Sequence, residues 1–442
     1  MNNFTTKISP QMKNLTNLKL ALLLVVTSAT FAQQEKGIIG TSNWLNNWTS
    51  FKPAKEEYND TNQILFGNIT TNTTLYKKNT YLLQGNVYVT NGAVLTIEAG
   101  TVIKGDTESV GTLIVTKGST IIADGKDTDP IVFTSNKLVK KPGDWGGIII
   151  IGDAPINKFG GTASLPYDMD PSKTMYGGTN SQSNSGIIRY VRIEFAGKKS
   201  KGFKEFNSLT LAGVGSKTVL DNIMCSFSAD DSFEFFGGDV NITKAVSYKA
   251  FDDDFDFTQG AQVFIDNSIA VRNPYFSTTS GSRCIEIDSY DRKEDADFSK
   301  KLTTVIASNM TMLNDSNNLT VDIASGLVKE AIRIAENCSL TVKRSVISGF
   351  NPAITLDSKI AITDANFKKI KLEDIYFNNC KGNIFTENNA NNEDLEDYYG
   401  NSAFSNVFTP VSDNKETFID IYNLKQPDYR LKIAKITASN TK

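Results

Sequence analysis

Residues 229–235 read ADDSFEF and residues 251–257 read FDDDFDF, so an aspartate run followed by an apolar–acid–apolar triplet recurs after 22 residues. A period near 22 is too short for most helical repeats and fits one turn of a coiled, stacked β-structure. Stacking aligns equivalent positions of successive turns. The acids of Phe233-Glu234-Phe235 and Phe255-Asp256-Phe257 then fall in one row on one face.

The rest of the chain carries the same signature. From Val87 onward short alternating strands are cut by Gly and Asn, as in Val87-Tyr88-Val89, Leu95-Thr96-Ile97, Leu113-Ile114-Val115 and Ile131-Val132-Phe133. Alternation buries every second side chain, and each Gly, Asn or Asp marks a corner. From residue 218 three strands recur per turn. The inward pairs read Thr218/Leu220, Ile223/Cys225 and Phe233/Phe235, then Val240/Ile242, Val246/Tyr248 and Phe255/Phe257, then Val263/Ile265, Ile269/Val271 and Ile285/Ile287. Later turns carry Met310/Met312, Ile332/Ile334, Leu340/Val342, Ile354/Leu356, Ile370/Leu372 and Ile375/Phe377. A strand triplet in fixed order predicts a parallel β-helix over 81–386, with a polar leader at 33–80 that packs on or caps the first turns and an irregular cap at 387–442. The connection before the third strand is long in two turns, at 272–283 and 313–331. Insertions on a repeat scaffold gather on one face, and that face is often the binding face.

The first 32 residues read as a secretory signal: Lys13 and Lys19 precede the apolar run 20–26, and small residues lead to a cleavage point after Ala32. That run is too short to span a bilayer, and no later stretch is apolar enough to cross one. The mature chain is therefore expected outside the cytoplasm, at the cell surface or free. Removing Lys7, Lys13 and Lys19 moves the formal charge from −3 to −6, with 43 basic and 49 acidic residues left. Nucleic-acid binding draws on clustered positive charge, so it is not expected. Histidine is absent, which excludes Ser–His and Cys–His nucleophiles and imidazole-ligated metals. Four dispersed cysteines, Cys225, Cys284, Cys338 and Cys380, either form two disulfides or sit as small buried hydrophobes.

Three segments carry a family resemblance: LTIEAGTVIKGD (95–106), DWGGIIIIGDAPIN (144–157) and ADDSFEFFGGDVNITKAVSYKAFDDDFDF (229–257). Together they resemble secreted or cell-surface parallel β-helix proteins of Bacteroidota, over roughly residues 65–350. The resemblance implies a right-handed parallel β-helix exposed at or beyond the outer membrane, and it brings no catalytic residues. Many exported relatives end in a C-terminal sorting module, whereas KQPDYRLKIAKITASNTK at 425–442 shows no extra β-domain.

The outward middle residues of the third-strand row are Glu234, Asp256 and Glu286, followed by Arg333 and Thr355. The corners add Asp230, Asp231, Asp252, Asp253 and Asp254, and Arg283 aligns with Asp231 and Asp253. Strands about 4.8 Å apart bring these carboxylates close enough to repel. Three compensations are open. The corner acids can satisfy backbone groups, with Arg283 and Lys249 neutralising the row. Asp230, Asp231, Glu234, Asp252, Asp253, Asp254, Asp256 and Glu286 can hold Ca²⁺, which takes six to eight oxygen ligands. Raised acidity constants can instead serve catalysis by Glu234, Asp256 or Glu286, with Arg283 or Lys249 as base. Tyr275, Phe276 and Tyr290, with Arg333, are candidates to stack on and hold a sugar, although the aromatics of the loop can equally fold back onto its own core. The leading expectation is a binding scaffold for a glycan or an outer-membrane partner complex. A Ca²⁺-assisted polysaccharide lyase, a carboxylate-dependent glycoside hydrolase and a structural adhesion element are the alternatives. All five acids Asp231, Glu234, Asp253, Asp256 and Glu286 are expected on one solvent-facing strip.

Overall fold

The computed structural model describes residues 36–199, 204–278, 281–361, 363–387, 393–409 and 413–432, so the expected signal peptide lies outside the described residues. The chain coils into a right-handed parallel β-helix of three ladders. The first ladder runs from Thr73–Leu75 to Ile370–Glu373. The second starts at residues 63–66 and ends at Val407–Thr409, and the third ends at Phe385–Glu387.

The corner between first and second ladders is a single residue with positive φ: Asn222, Lys244, Asn267, Asn309, Arg344 and Asp374, all between 48° and 57°. Asn and Asp tolerate this left-handed region better than other side chains, which is why they punctuate the sequence there. Inside, equivalent residues stack. The Phe233 and Phe255 rings lie 4.9 Å apart and nearly parallel, and Phe235 and Phe257 lie 4.7 Å apart. The aromatic pair continues into Ile285/Ile287 and Ile332/Ile334 through the register of the third ladder.

The second ladder departs from the sequence reading. Register pairs Cys225 with Ser247, Ser247 with Ala270, Ala270 with Met312 and Met312 with Ile347. These are the inward residues. Val246/Tyr248 and Ile269/Val271 therefore face outward, one residue out of phase with the expectation. They are buried nonetheless, because Ile38, Leu45, Trp48 and Phe51 cover them together with Phe418, Ile421, Tyr429 and Leu431. A ladder apolar on both faces gives no alternation from which to read its phase.

The leader accordingly divides: residues 36–51 lie along middle and late turns, while residues 56–58 meet the first ones, where Lys104 and Lys140 donate to the Tyr58 and Glu56 carbonyls. The Gly37 N–H donates to the Arg344 carbonyl, the Ile38 N–H to Thr311 Oγ1, and Lys36 pairs with Asp374 at 2.8 Å. Strands already begin at Gln63–Ile69 and Thr73–Leu75, within the segment read as leader. At the other end, the helix Glu393–Gly400 lays Leu395 and Tyr399 over the core, and the Tyr399 hydroxyl donates to the Ile370 carbonyl. All four cysteines are free and buried.

One long excursion shapes the outer face of the third ladder. Residues 152–185, between Gly147–Ile151 and Gly186–Glu194, bury Ile156, Leu165, Tyr167 and Tyr176 against Tyr88, Ile114, Ile149, Phe206 and Phe236. Its far edge overhangs the acidic turns.

Candidate functional site

Register fixes the outward row of the third ladder residue by residue. Ile114 stacks on Ile149, Ile149 on Thr210, Thr210 on Glu234, Glu234 on Asp256, Asp256 on Glu286, Glu286 on Arg333 and Arg333 on Thr355. The row is apolar where the excursion covers it and turns acidic where the cover ends.

A second column runs beside it at the corners. The Asp231 N–H donates to Asn207 Oδ1 at 3.2 Å, the Asp253 N–H to Asp231 Oδ1 at 2.8 Å, and the Arg283 N–H to Asp253 Oδ1 at 2.5 Å. Each corner side chain thus accepts the backbone donor of the next turn, which is the Asx chemistry favoured at such bends. Arg283 stands in the expected column. It pairs with Glu286 and with Glu330, both at 2.8 Å, while Arg333 binds the other oxygen of Glu286.

These residues line a cleft of about 410 Å³, with Tyr167 from the excursion and Lys204 on its wall. The strip is recessed rather than solvent-facing: Asp231 and Glu234 are each 6% exposed and Asp253 is 4% exposed. The sequence reading took the acids for surface residues because nothing in it marked the overhang.

Burial is the leading cause of the unusual acidities. It raises Asp231, Glu234, Asp253 and Asp256 well above the carboxylate range, and neighbouring acids push in the same direction. Asp230 rises to about 7, and Asp252 and Asp288 to about 6, for the same first reason. Glu286 is the exception. Burial opposes its ionisation, but Arg283, a hydrogen bond from Asp253 and Arg333 together hold it below its ordinary value. One face therefore sets acids pushed toward their neutral form beside one held toward its ionised form.

The oxygens of Asp231, Glu234 and Asp256 converge, all within 4.8 Å of one another, and so do those of Asp230, Asp231 and Asp252. Glu234 Oε1 and Asp256 Oδ1 are enclosed and have no hydrogen-bond partner among the described residues, while Glu234 Oε2 accepts from Asn207 at 3.3 Å. Unpartnered buried oxygens of this kind are costly. An all-oxygen, multi-carboxylate donor set fits a hard cation such as Ca²⁺.

Four expected residues belong elsewhere. Asp254 is fully buried on the inner side of the corner, where it pairs with Arg272 at 3.2 Å and accepts from Ser247, so it is not a ligand of the row. Lys249 lies 3.4 Å from Asp315 and over the Tyr248 ring, on the second-ladder side, and neither neutralises the row nor acts as its base. Phe276 folds back against Phe227 and Phe251. Tyr275 is exposed and donates to Asp322 at 3.4 Å, and neither of these two borders the cleft. Tyr290 does stand nearby, with Arg333, in an adjoining cavity of about 600 Å³ that shares Lys204 with the cleft. Its hydroxyl donates to Glu336 at 2.7 Å.

Sequence reasoning missed Asn207, Lys204, Tyr167 and Asp288. Asn207 had a signal, since it precedes Leu209 as Asp231 precedes Phe233. Lys204 and Tyr167 come from irregular segments with no repeat to align.

A right-handed parallel β-helix with an acidic cleft on one ladder defines the class. The chain belongs to the pectate-lyase-like β-helix domain family, whose model matches residues 67–417. No curated protein and no solved structure is detectably similar to it.

Proposed function

We propose that this protein is an exported β-helix scaffold that binds a glycan in the third-ladder cleft, with Ca²⁺ held by Asp231, Glu234 and Asp256. The observation that carries this reading is the convergence of one carboxylate oxygen each from Asp231, Glu234 and Asp256 within 4.8 Å of one another, in a cluster where Glu234 and Asp256 each also keep an enclosed oxygen without a hydrogen-bond partner among the described residues. Asp230 and Asp252 flank that spot, and Lys204, Arg283 and Arg333 frame it. The bound cation would neutralise the cluster and offer its open positions to hydroxyl or carboxylate oxygens of a sugar. The chain's own cations orient the ligand: Arg333 and Lys204 stand where the acidic cleft meets the Tyr290 cavity, so an extended ligand would cross both.

The test is a panel of acidic and neutral polysaccharides, assayed for retention with Ca²⁺ and with chelator. Retention that needs Ca²⁺ and leaves the glycan intact supports the reading. A second reading, a carboxylate-dependent hydrolase or lyase, is favoured by one observation: Glu234 and Asp256, which burial pushes up, stand in a row with Glu286, which Arg283 and Arg333 hold down against its own burial, the separation of acidities that acid–base catalysis uses. New reducing ends or unsaturated products would establish that reading instead. No retention of any glycan, together with altered surface attachment on deletion, would point to an adhesion element.

A further inference from the structure

We propose, building on the glycan reading above, that a second chamber beside the acidic cleft is a subsite for an uncharged sugar ring, which makes the ligand a mixed glycan of linked acidic and neutral units. The chamber has a volume of about 480 Å³. It lies between residues 158–166 of the excursion and the ends of the strands Phe233–Phe236 and Phe255–Thr258. Lys204, Phe236 and Asp291 line both it and the cleft, so one ligand can reach both.

Phe159 is the first mark of a ligand. It lines the chamber 63% exposed, whereas Tyr176 and Phe236, which also line it, are buried. The apolar cluster under the excursion includes those two and leaves Phe159 out. Its backbone is nonetheless fixed. Lys158 bridges to Ala296, and the Gly161 N–H and Lys300 Nζ both donate to the Lys158 carbonyl at 3.0 Å. Gly160 and Gly161 take φ of 76° and 75°, a tight turn that glycine makes without strain. A flat apolar ring held out in this way suits the C–H face of a pyranose, whose hydroxyls then need polar partners at the ring edge. Gln259 supplies one. It is 5% exposed and accepts from the Tyr176 hydroxyl at 2.6 Å through Oε1, which leaves its Nε2 hydrogens without an acceptor among the described residues. Thr162 and Ser164 add exposed hydroxyls. Apolar walls with a few placed polar groups are the usual make-up of a small-ligand site.

Charge decides which sugar belongs here. All five charged residues of the chamber are already paired: Lys158 lies 3.9 Å from Asp295, Arg292 donates twice to Asp295, and Lys204 lies 3.9 Å from Asp291. A carboxylate entering the chamber would have to break one of these pairs or stay unpaired, which is costly away from water. An acidic unit therefore belongs over the Asp231, Glu234 and Asp256 cluster with its cation, and the uncharged unit lies next to it against Phe159.

The experiment measures binding of two sets of hexasaccharides by calorimetry in Ca²⁺: all-acidic ones such as oligogalacturonate, and alternating acidic–neutral ones such as rhamnogalacturonan and hyaluronan fragments. The wild type should bind an alternating hexamer about tenfold more tightly than any all-acidic one, the size of one aromatic contact. Phe159→Ala should erase that advantage and leave both the all-acidic affinity and the Ca²⁺ shift in Tm unchanged. Phe159→Trp should keep it, because stacking needs only a flat face. Phe159 is exposed, so both variants should melt as the wild type does. Asp256→Asn, in the cleft, should weaken binding of both sets. If Asp256→Asn loses binding while Phe159→Ala binds every hexamer as the wild type does, the chamber is overturned and the cleft reading stands. A wild type that prefers all-acidic hexamers also overturns the chamber. Binding of neither set in Ca²⁺ overturns the glycan reading and the chamber with it.

Discussion

Consider the protein stripped of divalent cations by a chelator. Asp288 titrates at about 6 in the fold against 3.8 ordinarily, because it is buried. The native form then holds its proton more tightly than the unfolded form. Stability from this group is complete below about pH 4 and is lost as pH rises, levelling off above about 6, and Asp252 and Asp230 extend the loss towards 7. For Asp288 alone the shift of about two units corresponds to about 3 kcal/mol. Adding Ca²⁺ at pH 7 should recover stability by mass action, about 2.7 kcal/mol at a hundred times Kd. Unfolding about 400 residues at ~2.1 cal/mol/K each makes that a rise in Tm of about 3 °C. Asp256→Asn removes one ligand and one buried carboxylate without changing shape. It should abolish the Ca²⁺ response and, under chelation at pH 7, leave the variant at least as stable as the wild type. Melts followed by calorimetry with Ca²⁺, chelator and Mg²⁺ test this, and Mg²⁺ should do less because it demands a stricter geometry. Identical melts in Ca²⁺ and chelator, or an unchanged Ca²⁺ shift in Asp256→Asn, would refute the cation reading.

Three further outcomes follow from particular contacts. Arg283→Ala strands Glu330 and leaves Glu286 to Arg333 alone, both acids being largely buried, and should cost about 2–3 kcal/mol in denaturant unfolding. Arg272→Ala should cost more, about 3–5 kcal/mol, because Arg272 is the ion-pair partner of fully buried Asp254 and also donates to the carbonyls of Ala250 and Asp252. Trp48→Ala empties a fully buried site under the leader and should cost about 3–5 kcal/mol, with limited proteolysis cutting first near residues 36–51.

The third ladder was legible because its pattern is asymmetric: phenylalanines inside and acids outside repeat in phase, so Glu234, Asp256 and Glu286 align without ambiguity. Arg283 was legible for the same reason, through its fixed offset from Ile285. The second ladder was not, since Val246, Tyr248, Ile269 and Val271 are as apolar as the residues that face the core, and only the distant leader explains them. The depth of the cleft was hidden too. It depends on Tyr167 and Lys204, which reach the site from segments without repeat phase, and the same overhang turns a row of corner acids into buried ones. Lys249 illustrates the limit in the other direction: charge and proximity in sequence suggested a partner, but its corner turns it toward Asp315.

The clasp formed by the leader also sets an order of events. Its anchors span nearly the whole chain: Arg430 donates to the Gly40 carbonyl and Asn43 to that of Pro427. A chain emerging from its N-terminus offers Ile38, Leu45, Trp48 and Phe51 first, yet their seat is finished only when the turns around Val346 and Tyr376 exist. The first segment to appear therefore completes its docking only once the late turns have formed. Until then part of the stripe from Met224 to Tyr376 stays open to water, and a chain cut short before residue 376 lacks the later half of the cluster that closes it. Concealment of that stripe is a mark of completeness, so a truncated copy advertises its defect as a sticky flank that chaperones and proteases can recognise.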